Sequence, residues 1–264
     1  MKLLIKVGGT LIDSAESRYL LSLQIAAQAK KGHRTVVVHG GGKQLSRYLQ
    51  ERGFQSEFRG GLRVTPPEIL DAVVRVLAGG VNHSFVADLQ RAGARAVGLS
   101  GIDSGLVHAV QLSHDLGAVG RVDRVDTALL DLLTSNGYIP AVACIAGSRF
   151  GEAFNVNADQ MAVACASHYF ADRLIFLTDV EGVLDGEGAR IPQLTSHDAL
   201  RLIETGVAQG GMEAKLRAAM AAVGQGIHEV RIVAGAQPKV LERVLTGEDV
   251  GTALIPDPST ATAL

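Results

Sequence analysis

Leu3-Leu4-Ile5-Lys6-Val7-Gly8-Gly9-Thr10 opens the chain with a short apolar run that ends on two glycines. Thr35-Val36-Val37-Val38-His39-Gly40-Gly41-Gly42-Lys43 repeats the arrangement and passes directly into a helical pattern. Runs of this length, rich in β-branched residues and apolar almost without a break, are how strands covered on both faces of a parallel sheet read. Residues 94–99, 139–145, 173–178 and 229–234 have the same character. Between them the spacing predicts helices over 17–31, 43–52, 65–77, 82–91, 126–135, 157–169, 196–204, 212–225 and 238–245. Thr65-Pro66-Pro67-Glu68 has the form of a capping box with proline in the first turn. Residues 107–122 read as a hairpin insertion. Repeated β–α–β units predict an α/β fold with a mainly parallel sheet and helices on both of its faces.

Composition agrees with one or two compact lobes. The chain has 264 residues, 47% of them hydrophobic and 20% charged, which excludes a disordered protein. Gly-rich loops dominate before residue 170 and a single acidic loop follows it, so the expected lobes are 1–170 and 171–264 on one continuous sheet. With 25 Lys+Arg against 27 Asp+Glu, no basic surface for nucleic acid is implied. No apolar run reaches the length of a membrane span and no leader pattern opens the chain, so a cytoplasmic protein without a membrane partner is expected. Cys144 and Cys165 form no CxxC pair and sit in apolar stretches, as small core residues do. The eight histidines lack metal-ligand spacing, no GxSxG elbow is present, and neither glycine loop matches GxxxxGK[ST] or GxGxxG.

The chemistry therefore rests on glycines, cations and amides. A glycine run between a strand end and a helix start leaves backbone N–H groups free for an anion. Lys6 interrupts a strand that should be buried, where a lysine needs a partner. It either snorkels to solvent or meets an anionic ligand. Lys215, in Gly210-Gly211-Met212-Glu213-Ala214-Lys215, opposes the helix dipole in an opening turn, a cost that a bound phosphate would offset. Asn155-Val156-Asn157-Ala158-Asp159 supplies three side chains where a helix needs one cap. Asp159 could hold lysines in place, and Asn155 could hydrogen-bond an amide or carboxylate. The loop Asp179-Val180-Glu181-Gly182-Val183-Leu184 could contact a nucleotide or be an ordinary acidic turn. No general base or nucleophile is evident. A carboxylate acceptor needs none, being already ionised at neutral pH, and phosphoryl transfer to it asks mainly for alignment and charge neutralisation.

Taken in order, KVGGT at 6–10, VVVHGGG at 36–42, GLRVT at 61–65, VGLSG at 97–101, NVNAD at 155–159, LTDVEGVLD at 177–185, GGMEAK at 210–215 and GT at 251–252 cover nearly the whole chain. The set resembles the amino-acid kinase family and, within it, the branch that acts on N-acetyl-L-glutamate. The resemblance implies an open αβα sandwich whose N-terminal lobe binds the acyl amino acid and whose C-terminal lobe binds ATP. It also implies transfer of the γ-phosphoryl group to the side-chain carboxylate, in arginine biosynthesis. By motif match, Lys6 and Lys215 would stabilise the transition state, Asp159 would orient both, and Gly8 and Gly9 would line the phosphoryl path. Gly41, Gly42, Arg63 and Asn155 would bind the acyl amino acid. Asp179 to Leu184, with Val207, Ala208, Gln209 and Met212, would lie along ATP. Mg2+ would be held by the nucleotide phosphates, with no protein metal cluster. Ala214 stands where the family commonly has proline, and Ser100-Gly101-Ile102-Asp103-Ser104-Gly105 replaces a common SGKDG. Arginine-inhibited members carry an extra N-terminal helix, whereas here the first strand begins by Leu3, so a homodimer without strong arginine feedback is expected. Two alternatives remain at this level: a kinase for an N-blocked aminoadipate in lysine biosynthesis, and a non-catalytic nucleotide or metabolite sensor on the same fold.

Overall fold

The structure, a computed structural model, describes residues 1–257. Its centre is an eight-stranded sheet in the order β12-β14-β13-β11-β1-β2-β8-β5. The strands are β1 Lys2–Val7, β2 Arg34–His39, β5 Arg95–Ser100, β8 Tyr138–Ala143, β11 Arg173–Thr178, β12 Gln193–Leu194, β13 Glu229–Ala234 and β14 Thr252–Leu254. Every neighbouring pair is parallel except β13 with β14. The six long strands are those the apolar runs predict, and the sheet is covered on both faces, as their composition requires. Alternation divides the core. Leu4, Val36, Val38, Val142, Leu174 and Phe176 face one layer, with α6 (Ala158–Tyr169) and α8 (Gly210–Gly224). Ile5, Val7, Val37, Ala141, Ile175 and Leu177 face the other, with α1 (Ala15–Lys30). Lys6, at an even position of β1, shares the side of Leu4 and so looks toward α6.

The predicted hairpin is present. β6 Val107–Gln111 runs antiparallel to β7 Gly120–Val125, and with β9 Ile145–Gly147 and β10 Ala153–Asn155 it makes a four-stranded sheet. A smaller hairpin, β3 Phe58–Arg59 with β4 Leu62–Arg63, precedes α3 (Pro67–Val73).

Three local expectations are corrected. Thr65 does not cap a helix. Pro66 occupies the N-cap of α3 without a side-chain bond, and buried Thr65 bridges to Gly117 while its hydroxyl donates to the Arg63 carbonyl at 2.7 Å. The capping box of the fold is instead at Thr195 and Asp198, opening α7 (Ser196–Glu204). The helices predicted over 65–77 and 82–91 are one run, Pro67–Arg91, because a wider π-type turn at Val74–Val81 carries the backbone through Gly79-Gly80 into α4 (Asn82–Arg91). Tertiary packing overrides the local helix penalty of two glycines, since Val76, Leu77 and Val81 are buried against the core. Finally, the last predicted helix begins at Val240, not at Pro238. The departing SGIDSG segment is a compact turn in which Asp103 accepts hydrogen bonds from the Ser100 amide at 2.6 Å and hydroxyl at 2.8 Å.

Gly251 has φ +68°, and a β-carbon there would fall 2.2 Å from the Ile232 carbonyl oxygen, whereas Gly247, at φ +85°, has open space. Gly251→Ala should therefore lower unfolding free energy by about 2 kcal/mol or more, and Gly247→Ala by only about 1 kcal/mol, as read from urea denaturation midpoints.

Candidate active site

The parallel register brings the carboxyl ends of the central strands to one edge: Val7 pairs with both His39 and Leu177, and His39 with Ala143. In open α/β sheets this edge is where ligands gather. The loop Gly8-Gly9 thus lies beside Gly40-Gly41-Gly42. The Gly8 amide is used, donating to the Leu177 carbonyl at 2.9 Å. A β-carbon on Gly9 would lie 3.4 Å from the amide nitrogen of Gly42 and 3.8 Å from that of Gly41. The two backbones therefore lie side by side, with room at Gly9 for no more than ordinary van der Waals contact. Gly41 is pressed from behind as well, since a β-carbon there would meet Leu77 at 2.4 Å and Val81 at 3.2 Å.

Lys6 is buried and does not reach solvent. Its ammonium lies 2.7 Å from Asp159 Oδ1, with side-chain exposures of 9% and 12%. That oxygen takes no hydrogen bond besides the ammonium. Asp159 is held in the first turn of α6, whose N-cap is Asn157. The Asn157 Oδ1 accepts from the amides of Asp159 at 2.9 Å and Gln160 at 3.2 Å. Of the three polar residues in NVNAD, then, Asn157 caps, Asp159 pairs, and Asn155 does neither. Asn155 ends β10 and donates to the Thr65 hydroxyl at 3.1 Å.

Next to the glycine loops is a cavity of about 160 Å³. Its polar walls are Arg63, Asn155, Asn157 and the Gly40–Gly42 backbone, and Phe58, Leu62, Leu77, Val119 and Val156 supply its apolar side. No acidic side chain lines it. The Arg63 guanidinium is buried, which lowers its pKa from the ordinary value yet leaves it cationic. Nη2 donates to Ser46 at 2.8 Å and to the Gly42 carbonyl at 3.2 Å, Nη1 donates to Ser56, and the Phe58 ring lies 4.6 Å away. Three of its five donors are engaged, so about two remain for a carboxylate.

The other predicted positions separate. Lys215 is not drawn to Asp159; its ammonium reaches back one turn to the Gly211 carbonyl at 3.3 Å, an ordinary i to i−4 approach on its own helix. Asp159 therefore orients Lys6 alone here, and the expectation that it braces both lysines is not met by this geometry. In the acidic loop, Val183 is a core residue. Its amide donates to Thr252 at 2.8 Å, and its carbonyl accepts from Ile191. Its backbone is thus fully used. Val180, Leu184 and Val207 are exposed, and Asp179 accepts from the Thr178 hydroxyl at 3.1 Å. Ala208 is buried, Met212 packs on the core, and Gln209 stands at the N-cap of α8 with its amide group on the Gly206 carbonyl. Glu181 and Gly182 complete that loop, and Gly182 packs against Thr252 and Arg190.

Sequence reasoning assigned no role to any histidine. His39 is fully buried under the second glycine loop, and burial pushes its pKa down to about 4. The signal was available: a histidine ending an unbroken apolar strand, directly before three glycines.

The family profile described as "Amino acid kinase family" matches residues 1–234. The chain belongs to that family. It is similar to the acetylglutamate kinase of Solibacter usitatus, with 60% identity over 97% of this chain and 99% of that one. Among solved structures it resembles smu.665 from Streptococcus mutans, at 30% identity and TM-score 0.85 over 97% and 99% of the two chains. It also resembles the N-acetylglutamate synthase of Neisseria gonorrhoeae complexed with coenzyme A and N-acetyl-glutamate, at 26% identity and TM-score 0.86, covering 97% of this chain and 59% of that one.

Replacing Lys6 by methionine would leave the Asp159 carboxylate buried without its cation. Lys6→Met should cost about 3 kcal/mol of stability, and Lys6→Met with Asp159→Leu should recover most of it. Denaturant titration of the two single variants and the double variant measures both.

Proposed function

We propose that the protein transfers the γ-phosphoryl group of ATP to the side-chain carboxylate of N-acetyl-L-glutamate, giving N-acetyl-L-glutamyl 5-phosphate in arginine biosynthesis. This is the activity named for its 60% identical relative. The observation that carries it is the composition of the cavity beside the glycine loops. A buried guanidinium fits a carboxylate, and an amide side chain fits an amide. The absence of any acid from the walls would leave a free ammonium group unpaired. An acidic amino acid with an acylated nitrogen meets all three conditions.

The acceptor carboxylate is ionised at neutral pH, so its oxygen attacks phosphorus without a base while the bond to the bridging oxygen breaks and ADP departs. The task left to the protein is to align two anions and neutralise the charge between them. Lys6, held by Asp159, supplies a fixed ammonium at the sheet edge. The Gly41 and Gly42 amides supply neutral donors across from Gly9. Lys215 is on a half-exposed four-carbon stem in the opening turns of α8, free to move from the Gly211 carbonyl to a phosphate. The donors here are ammonium and amide groups, which suit phosphate oxygens and not a metal, so Mg2+ would arrive held by the nucleotide. The N-terminal lobe, residues 1–170, binds the acyl amino acid, and the C-terminal lobe, residues 171–264, binds ATP. The sheet ends in β5, whose outer edge pairs with no strand among the described residues, and such an edge is a template on which a second chain can pair. A cytoplasmic homodimer is the assembly proposed, checked by a light-scattering mass twice 27.6 kDa.

The deciding assay is ATP turnover with a panel of N-acylated acidic amino acids, trapping the acyl phosphate with hydroxylamine. N-Acetyl-L-glutamate should give the highest kcat/KM. Better turnover of an N-blocked aminoadipate would replace the substrate assignment, and nucleotide binding without acyl phosphate would mark a sensor. Lys6→Ala and Lys215→Ala should each lower kcat by ~10²-fold or more. Arg63→Ala should chiefly raise KM for the acyl amino acid.

A further inference from the structure

Three groups meet beneath the Gly40–Gly42 loop. His39 Nδ1 lies 2.8 Å from the Gly40 carbonyl oxygen, and His39 Nε2 lies 2.8 Å from Asn82 Nδ2. The same Asn82 Nδ2 faces two backbone acceptors, the carbonyls of Ala141 at 2.8 Å and Leu99 at 3.4 Å. An atom set among carbonyl oxygens must be the NH2 end of the amide. It donates to His39 Nε2, which is therefore the unprotonated nitrogen. The proton is on Nδ1, and Nδ1 donates to Gly40. Asn82 is 2% exposed and His39 0%. The remaining neighbours carry no formal charge: the Cys144 thiol donates to the His39 carbonyl at 3.0 Å, and Phe85 meets the ring edge-on at 5.8 Å. Gly98 is the residue that lets Asn82 in, since a β-carbon there would fall 2.1 Å from Asn82 Oδ1.

The consequence lies in the peptide plane. No peptide bond among the described residues is cis, and in a trans peptide the C=O and N–H point in opposite directions. Holding the Gly40 oxygen inward against the imidazole therefore turns the Gly41 N–H outward. No hydrogen bond within the described residues takes the N–H of Gly41 or Gly42, and both nitrogens face Gly9. A glycine triplet is otherwise the least constrained backbone available, so the orientation of these donors has to be imposed from below.

We propose that His39 is a positioning residue that aims the Gly41 amide across the gap toward Gly9 by tethering the Gly40 carbonyl, with Asn82 fixing the tautomer that makes the tether. The inference rests on the two glycine loops forming the anion site of the reaction, and it assigns a role to the histidine of VVVHGGG and the first glycine of VGLSG.

Nitrogen-15 spectra of the histidine rings in the full-length protein test the tether without reference to activity, His39 being assigned by its loss in His39→Asn. Nδ1 protonated and Nε2 bare is the expected result; the reverse tautomer would overturn the proposal. Steady-state kinetics with N-acetyl-L-glutamate and MgATP test the consequence. His39→Leu and His39→Gln, which place no donor at the Nδ1 position, should lower kcat by ~10-fold to 100-fold with KM for MgATP within about threefold of wild type. His39→Asn, whose Nδ2 sits where Nδ1 does, should recover most of that loss. Equal kcat in His39→Leu and wild type, or no recovery in His39→Asn at matched melting temperature, would refute it. If His39→Leu does not fold, Asn82→Ala provides the second variant. It releases the tautomer and should lower kcat in the same direction, an unchanged kcat again counting against the tether. A wild-type protein that forms no acyl phosphate would instead refute the proposed function, while leaving the tautomer measurement intact.

Discussion

The Lys6–Asp159 ion pair is the constraint on which the site is built. An ammonium inside a strand covered on both faces loses its water, and Coulomb attraction to one carboxylate at 2.7 Å has to offset that loss. Such a pair adds little net stability compared with an apolar pair of the same volume. What it does is lock β1 to the first turn of α6 at one register. Because Lys6 is even-numbered in a strand of period two, only the α6 layer can supply the partner. The cation left at the sheet edge is thus held by its partner and poorly solvated, the state the proposed role of Lys6 in phosphoryl transfer calls for.

Glycine does two kinds of work around this pair. Gly41 and Gly98 are sites of close approach, where a β-carbon would meet a packed side chain. Gly251 is different, being needed for a positive φ beside the Ile232 carbonyl. The first group lets Leu77 and Asn82 pack directly against the backbone while the strands beneath remain densely packed. The cost is a loop without conformational preference, and the buried residues under it, His39, Asn82 and Leu77, provide the definition that the loop itself lacks. A neutral imidazole suits that task, because burial pushes its pKa down to about 4 and no charge competes with Lys6.

How far the fold was legible follows from the range of each signal. All six long strands and the hairpin at 107–122 could be read because each rests on a short run of apolar or β-branched residues contiguous in the chain. The glycine loops were legible for the same reason. Thr65 was misread as a cap because its hydroxyl is claimed by Arg63 and Asn155, residues 2 and 90 positions away. The break expected at Gly79-Gly80 is bridged because the core face of that run outweighs the propensity of two residues. The partner of the Val183 amide was not legible either, because Thr252 stands 69 residues on.

By itself the sequence determined the class of sheet, the positions of the glycine loops and which cations and acids the proposed chemistry could draw on, since each of these depends on residues close together in the chain. Only the tertiary structure decided partnership: that Asp159 holds Lys6 while Lys215 turns to its own helix, that Arg63 is fastened by Ser46 and Ser56, and that an asparagine from α4 sets the proton of a histidine at the end of β2. Hydrogen bonds and ion pairs act over about 3 Å of space, and the folding of the sheet is what brings Lys6 to Asp159 and His39 to Asn82, each pair more than forty apart in the chain, within that reach.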